Sequence, residues 1–341
     1  MVETAIRTPL GTLISRWYLG FLAAWFALYL VFGDGSGYLG LANALAVYFF
    51  APLPFVLLVA IGTRDKLHLA GGLLALAVFA ATWGPLFSPR DGAAEGDILR
   101  VMSFNVLGRK GDPNQVIASI QAEDADVLLL QEVTPDFAAL MTIALEDEYP
   151  HQVIDARERA SGMAIFSRFP LQSMDVVLDG RWRGDPQVVS LDWNGQLVTL
   201  VNFHTLSTGA IWPRWVYYTF NQREEDVNHL VDFAREEIQH RPLIAAGDLN
   251  ATRLNDAYKA IDEVLDDAWW EAGWGLGHTF PGQMEPDDWF THISIFIIPH
   301  WLVRIDHIFY SHHWQATQTR LADFNGGSDH RGVITELVLE D

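Results

Sequence analysis

Apolar residues dominate the first part of the chain in three long stretches, residues 17–32, 41–61 and 67–87. A helix needs about 20 mainly apolar residues to cross a bilayer core. The second and third stretches meet that length, and the first does once Leu13 and Ile14 join it, so the predicted spans are 14–32, 41–61 and 67–87. Charges stay at the edges, at Arg16 and Lys66. Trp17, Tyr18, Tyr38 and Trp83 fall near segment ends, where amphipathic rings favour the headgroup region. One such stretch could be a signal peptide, but a series with no small-residue cleavage site after the first predicts retained membrane helices. Pro52 and Pro54 predict a kink in the second.

From Ile98 the pattern changes to short β-rich runs alternating with helical ones. Strands are predicted at 99–105, 126–132, 162–167, 188–193, 198–204, 243–247, 305–310 and 333–339. Asn194-Gly195 between two of them reads as a hairpin turn. Asp112-Pro113 and Thr134-Pro135 open helices, and Val227, Leu230, Val231, Ala234 and Ile238 give one apolar face to a helix over 222–239. The mixture predicts layered α/β packing with hairpins. The expected organisation is an anchor at 1–90, a short linker at 91–97 and a globular domain at 98–341.

Charge divides the chain at the same place. Residues 1–97 carry Arg7, Arg16, Arg64, Lys66 and Arg90 against Glu3, Asp34, Asp65, Asp91, Glu95 and Asp97, so nearly all of the net charge of −21 belongs to the globular domain. Long nucleic acids are held by basic patches. With only three lysines in the chain, a nucleic-acid partner is disfavoured. The absence of cysteine excludes disulfides and thiolate chemistry. Basic residues lie in the N-terminal tail and at Arg64 and Lys66, with none in 33–40, which predicts a cytoplasmic N-terminus and a globular domain outside a multi-pass cell membrane.

Polar residues gather at the C-terminal ends of the apolar strands. They are Asn105, Glu132, His204, Asp248 with Asn250, Asp306, and the terminal Ser328-Asp329-His330. Asn and Asp commonly cap strands and make turns, so any one of them reads as structural. The series as a whole points to a site.

The ordered set of Asn105, Glu132, His204, Gly247-Asp248-Leu249-Asn250, Ile305-Asp306-His307-Ile308 and Ser328-Asp329-His330 resembles the endonuclease/exonuclease/phosphatase superfamily over about residues 98–340. The resemblance implies an α/β fold, the DNase I-like two-sheet sandwich, here preceded by a three-helix transmembrane segment. It implies phosphoester hydrolysis with Mg²⁺ or Mn²⁺. Mg²⁺ prefers oxygen ligands and keeps several waters, so one or two carboxylates suffice. Glu132 is the expected metal ligand, with Asn105 and Asp329 contributing. His330 is expected as general base, an imidazole being suited to proton transfer near neutrality. By the same resemblance Asp248 and Asn250 orient the nucleophile and phosphate, and His204 contacts a phosphoryl oxygen, supported by Asp306. Some nucleases of the family carry an Asp two residues after the first Asn; Leu107 stands there, which points toward phosphatase- or phospholipase-like branches.

Other residues bear on the substrate. Arg168 could face a phosphate or serve a structural ion pair. An aromatic loop at 211–220, with Trp212 and Trp215, and an apolar stretch at 293–302 form either a greasy rim at the lipid surface or part of the core. The expected function is hydrolysis of a lipid-linked phosphodiester or pyrophosphate at the outer membrane–water interface, the partner being a membrane lipid. The alternatives are an extracellular nuclease and an inactive membrane-tethered binding module.

Overall fold

The computed structural model describes residues 10–35, 37–88, 96–108, 110–208, 212–282 and 300–340. Most of the predicted linker and most of the apolar stretch 293–302 lie outside them.

Three helical segments are long and apolar enough to cross a membrane: Leu10–Phe32 (α1), Ala46–Thr63 and Lys66–Phe87. The second is not one kinked helix. A short helix Tyr38–Ala44 (α2) precedes a 3-10 turn at Ala46–Phe50, and the α-helix proper is Leu53–Thr63 (α3). Pro52 caps α3 and Pro54 lies in its first turn, so the prolines start a helix where they were expected to bend one. Helix Lys66–Trp83 (α4) returns, capped by Asp65, whose carboxylate accepts the His68 N–H and pairs with Arg16 at 2.6 Å. The ends at Phe32, Ala46 and Trp83 share one side of this bundle, and Arg16, Arg64 and Lys66 lie toward the other.

The rest of the chain builds two six-stranded sheets. The first contains Trp314–Leu321 (β11), Val333–Leu339 (β12), Ile98–Asn105 (β1), Val127–Gln131 (β2), Met163–Ser167 (β4) and His151–Asp155 (β3), in that order. The second contains Leu171–Ser173 (β5), Gly184–Trp193 (β6), Gln196–His204 (β7), Leu243–Asp248 (β8), Asp306–Tyr310 (β10) and Asp266–Asp267 (β9). Two parallel pairs sit within these sheets, β1 with β2 and β7 with β8. Each needs a helical crossover, supplied by Pro113–Glu123 (α5) and Pro213–Glu237 (α7).

Alternation along the strands explains the layers. Val101, Leu129 and Ile165 of one sheet meet Leu200, Ile244 and Ile308 of the other. Their neighbours Met102, Phe104 and Leu128 face α5 and the helix Pro135–Leu145 (α6), while Val201, Phe203 and Ala245 face α7. Strands buried on both faces read as continuous apolar runs, as the sequence showed. The aromatic run expected as a loop is the start of α7, with Val216 and Phe220 buried and Trp212, Trp215 and Tyr217 exposed.

The N-terminal helices are docked on the sandwich. Asp34, in the turn after α1, accepts hydrogen bonds from Asn43 Nδ2 (2.8 Å), Asn255 Nδ2 (3.1 Å) and the Asp256 N–H (2.9 Å). Its own N–H donates to Asp256 Oδ2 (2.6 Å), and Asn255 also donates to Gly40 O (3.0 Å). Nearby, the Tyr48 hydroxyl donates to Leu302 O (2.7 Å) and the Gly275 N–H to Leu86 O (2.6 Å). Removing the Asp34 carboxylate leaves buried donors unpaired. Asp34→Ala should cost about 1–3 kcal/mol, read as a lower denaturation midpoint for the full-length protein in detergent. An unchanged midpoint would mean that this junction does not hold the two parts together.

Candidate active site

The site forms where the strand ends of both sheets meet. β1 delivers Asn105 and β2 is followed by Glu132; β7 ends in His204, β8 ends in Asp248, and β10 begins with Asp306. Because β7 and β8 are parallel and β10 is antiparallel to β8, His204, Asp248 and Asp306 lie side by side in register. The structure therefore brings together Asn105, Glu132, His204, Asp248, Asn250, Asp306, Asp329 and His330.

Hydrogen bonds fix these groups. Asn105 Nδ2 donates to Asp248 Oδ2 (3.1 Å), joining one sheet to the other. The Asn250 N–H donates to Asp248 Oδ1 (3.0 Å), and His204 Nε2 lies 3.4 Å from Asp248 Oδ2. His330 Nδ1 is 2.8 Å from Asp306 Oδ2, while its Nε2 points toward Asp248 Oδ2 at 3.8 Å and Asp329 Oδ1 at 4.0 Å. Residues the sequence reading overlooked support this frame. The Asp306 N–H donates to Thr279 Oγ1 (3.3 Å), and the Ser328 hydroxyl donates to Asn105 O (2.7 Å) while accepting the His330 N–H (3.1 Å). Thr279 sits far from any motif, so no local signal could have marked it; Ser328 was within the motif but carried no assigned role. Glu132 and Asn250 both adopt left-handed backbone, at φ 61° and 50°, a conformation that costs energy outside glycine and recurs where a side chain must be aimed. Leu107 does too, at φ 47°, and its N–H donates to Asn105 Oδ1 (3.2 Å), so backbone orients the amide.

Electrostatics separate the roles. Burial alone would raise Asp248, but the His330 and His204 imidazoles and the Asn105 amide outweigh it and hold the carboxyl below its usual range. Burial would lower His330, yet Asp306 and Asp248 beside it hold the imidazolium well above the usual histidine range. Burial raises Asp306 despite its histidine partner. These contacts favour a protonated His330 beside an ionised Asp248.

A divalent ion fits a different part of the site. Glu132 Oε2 and Asp329 Oδ1 are buried and lack a hydrogen-bond partner among the described residues. Burial raises Asp329, the His330 imidazole opposes this, and the Glu132 charge adds to it. Hard oxygen donors of this kind suit Mg²⁺ or Mn²⁺. Asp248, Asp306 and His330 also offer ligand atoms within 4.8 Å of one another, but the 2.8 Å contact inside that group is a hydrogen bond.

Several residues are placed elsewhere. Arg168 does not face the site: its guanidinium pairs with Asp124 (2.5 Å), Asp126 (3.2 Å) and Glu148 (2.7 Å), at the end of the sheet opposite Glu132, because β4 runs antiparallel to β2. His307 is structural. Arg304 Nη1 donates to its Nδ1 (2.9 Å), its Nε2 donates to Ala251 O (2.9 Å), and burial, then Arg304, push it down to about 3. Arg304 itself pairs with buried Asp267 at 2.8 Å. Trp212 and Trp215 lie on the surface at the start of α7, outside the hydrogen-bonded site.

The geometry has solved counterparts. An endonuclease/exonuclease/phosphatase from Beutenbergia cavernae DSM 12333 is 23% identical, with a TM-score of 0.54 over 71% of this chain and 72% of that one. A family protein from Bacteroides thetaiotaomicron (18% identity, TM-score 0.51) aligns over 73% of this chain and 100% of its own. Truncated Caenorhabditis elegans TDP2 (19%, TM-score 0.51) aligns over 71% and 97%. These likenesses show the fold. No curated protein matches the chain. Residues 102–330 match the Endonuclease/Exonuclease/phosphatase family. That segment covers more than half of the chain and contains every residue of the site from Asn105 to His330, and the chain belongs to this family.

Proposed function

We propose that the chain is a divalent-metal-dependent phosphoesterase that cleaves a lipid-linked phosphodiester or pyrophosphate at the outer surface of a membrane. The observation that carries this reading is the docking of the active-site loops on one end of the membrane helices. Asn255 and Asp256, which bind Asp34, follow shortly after Asn250. Leu302, which binds Tyr48, precedes Asp306, and Phe280 packs its ring 4.8 Å from that of His330. The edge of the sandwich that does chemistry is therefore the edge held toward the bilayer. Exposed Trp212 (75%), Trp215 (42%) and Tyr217 (50%) flank it, and Tyr217 lies against Gly37 of the anchor. Such rings favour the membrane–water boundary. With Arg64 and Lys66 on the far side of the bundle, the positive-inside rule puts the sandwich outside the cytoplasm.

The chemistry follows from the site. Asp248, ionised and steadied by Asn105 and the Asn250 N–H, accepts the proton of an attacking water. The His330 imidazolium, aimed through Nδ1 by Asp306, donates from Nε2 to the ester oxygen that departs as its bond to phosphorus breaks, and His204 contacts a phosphoryl oxygen. Glu132 and Asp329, with Asn105 beside them, hold the metal, which when bound neutralises charge developing on the phosphoryl oxygens.

Three outcomes are expected. His330→Ala and Asp248→Asn should each lower turnover of a generic phosphodiester at least about 10²-fold with the melting temperature little changed; near-normal rates in either variant would remove that residue from the mechanism. A chelator should abolish activity, Mg²⁺ or Mn²⁺ should restore it, and Glu132→Gln should weaken the metal response; indifference to chelation would refute metal dependence. Replacing Trp212 and Trp215 together with Ser should lower cleavage of a lipid-embedded substrate about tenfold or more while sparing a short water-soluble diester, each buried indole contributing strongly to interfacial seating. Equal loss on both substrates, or none on either, would contradict the interfacial reading.

A further inference from the structure

Of the arginines buried in the protein, Arg304 is paired with Asp267, whereas Arg223 has no carboxylate within ion-pair distance among the described residues. Arg223 lies on α7, with Nε donating to Thr219 O (3.0 Å) and Nη2 to the Thr208 hydroxyl (2.6 Å). Its guanidinium stacks over the Phe220 ring at 4.1 Å. Burying a cation without a counter-ion is costly, and proteins ordinarily pair or neutralise such groups. Burial pushes Arg223 down to about 10, opposed by the charges of Asp34 and Asp248. The guanidinium has five N–H donors, and these contacts engage only part of the fork.

Its position suggests what completes it. Thr208 lies four residues beyond His204 on the segment leaving β7, so Arg223 is fastened directly to the loop that carries a site histidine. On the other side, a Cβ placed on Gly40 of the anchor would come within 2.6 Å of the Phe220 ring, so Phe220 is wedged between the anchor and Arg223. The charges of Asp248 and of Asp34 in the turn after α1 both act on this buried cation. We propose that Arg223 is the seat of a second anion subsite, which takes the oxygens of a phosphate group adjoining the one that is attacked. This deepens the phosphoesterase reading and rests on it for the identity of the neighbouring site. It favours a pyrophosphate-type substrate over a simple diester, because a planar guanidinium binds phosphate oxygens in pairs and a diester has no second phosphate to offer. In a chain of net charge −21, a fixed buried cation also offsets the field that would repel such a substrate.

Calorimetric titration of the full-length protein in detergent, with Mg²⁺ present, tests this with methylenediphosphonate and methylphosphonate, which cannot be hydrolysed. The native chain should bind the diphosphonate about 10- to 100-fold more tightly, the range of charge-assisted hydrogen bonds. Arg223→Gln should remove that margin and leave methylphosphonate binding unchanged. Arg223→Lys, which keeps the charge and loses the fork, should reduce the margin and provides the test if the Gln variant does not melt cooperatively. No margin in the native chain, or an undiminished margin in either variant, overturns the proposal. The titration needs no turnover. A margin that depends on Arg223 in a protein that cleaves no phosphoester would sustain the subsite and refute the phosphoesterase reading.

Discussion

A single buried carboxylate, Asp34, ties the apolar N-terminal helices to the loops that build the candidate active site. Its oxygens accept hydrogen bonds from Asn43 on the anchor side and from Asn255 and Asp256 on the sandwich side. Each bond is modest in water, but in a buried junction the alternative is an unsatisfied group, so the contacts stand or fall together. The consequence reaches the chemistry, since residues 251–255 are the chain between Asn250 and this junction. Tyr48 and Leu86 make parallel contacts to Leu302 and Gly275. These docked turns hold the sandwich against the N-terminal helices.

The site depends in turn on the seam between the sheets. The Asn105–Asp248 hydrogen bond crosses the sandwich, and deeper in the same seam Gln131 Nε2 donates to Asn202 Oδ1 at 2.8 Å. Parallel pairing aligns β1 with β2 and β7 with β8, so the two sheets present their polar termini at a common edge. Asp248 is shared by His204, Asn105 and the Asn250 N–H, and His330 is aimed at it by Asp306. Within such a buried group, burial and opposite charge pull against each other. Here the excess of carboxylates over imidazoles favours the protonated His330. Glu132 Oε2 and Asp329 Oδ1, the latter 4.0 Å from His330 Nε2, have no hydrogen-bond partner among the described residues and could serve a cation.

Much of this was legible in sequence because the signals were local. Strands buried on both faces declared themselves as apolar runs such as Val127–Gln131 and Leu243–Asp248, and the polar residue at each end marked the site. Edge strands were missed. His151–Asp155 is only half-buried and Leu171–Ser173 is short, so neither shows a pattern strong enough to read. The start of α7 at Pro213 was overlooked because the density of aromatics suggested a loop, although Pro at a first helical turn is a start signal. For Arg168 a phosphate contact and a structural ion pair stayed equally open, because nothing local shows that Asp124, Asp126 and Glu148 surround it. Asp34 in a glycine-rich turn, Thr279 and Arg223 owe their roles to partners far away in the chain, and only tertiary structure supplies those.

The central claim is that the active-site edge of the sandwich faces the bilayer. The chain has no cysteine, so one introduced cysteine carrying a nitroxide reports on a single place. Labels at position 212, beside the site, and at position 194, in the hairpin at the opposite end of β7 from His204, would be compared in the full-length protein in liposomes. Relaxation by oxygen, which concentrates in lipid, is measured against relaxation by a water-soluble nickel chelate. The account predicts that the label at 212 favours oxygen and is shielded from the chelate, while the label at 194 behaves as fully aqueous. Equal chelate accessibility at both positions would contradict it.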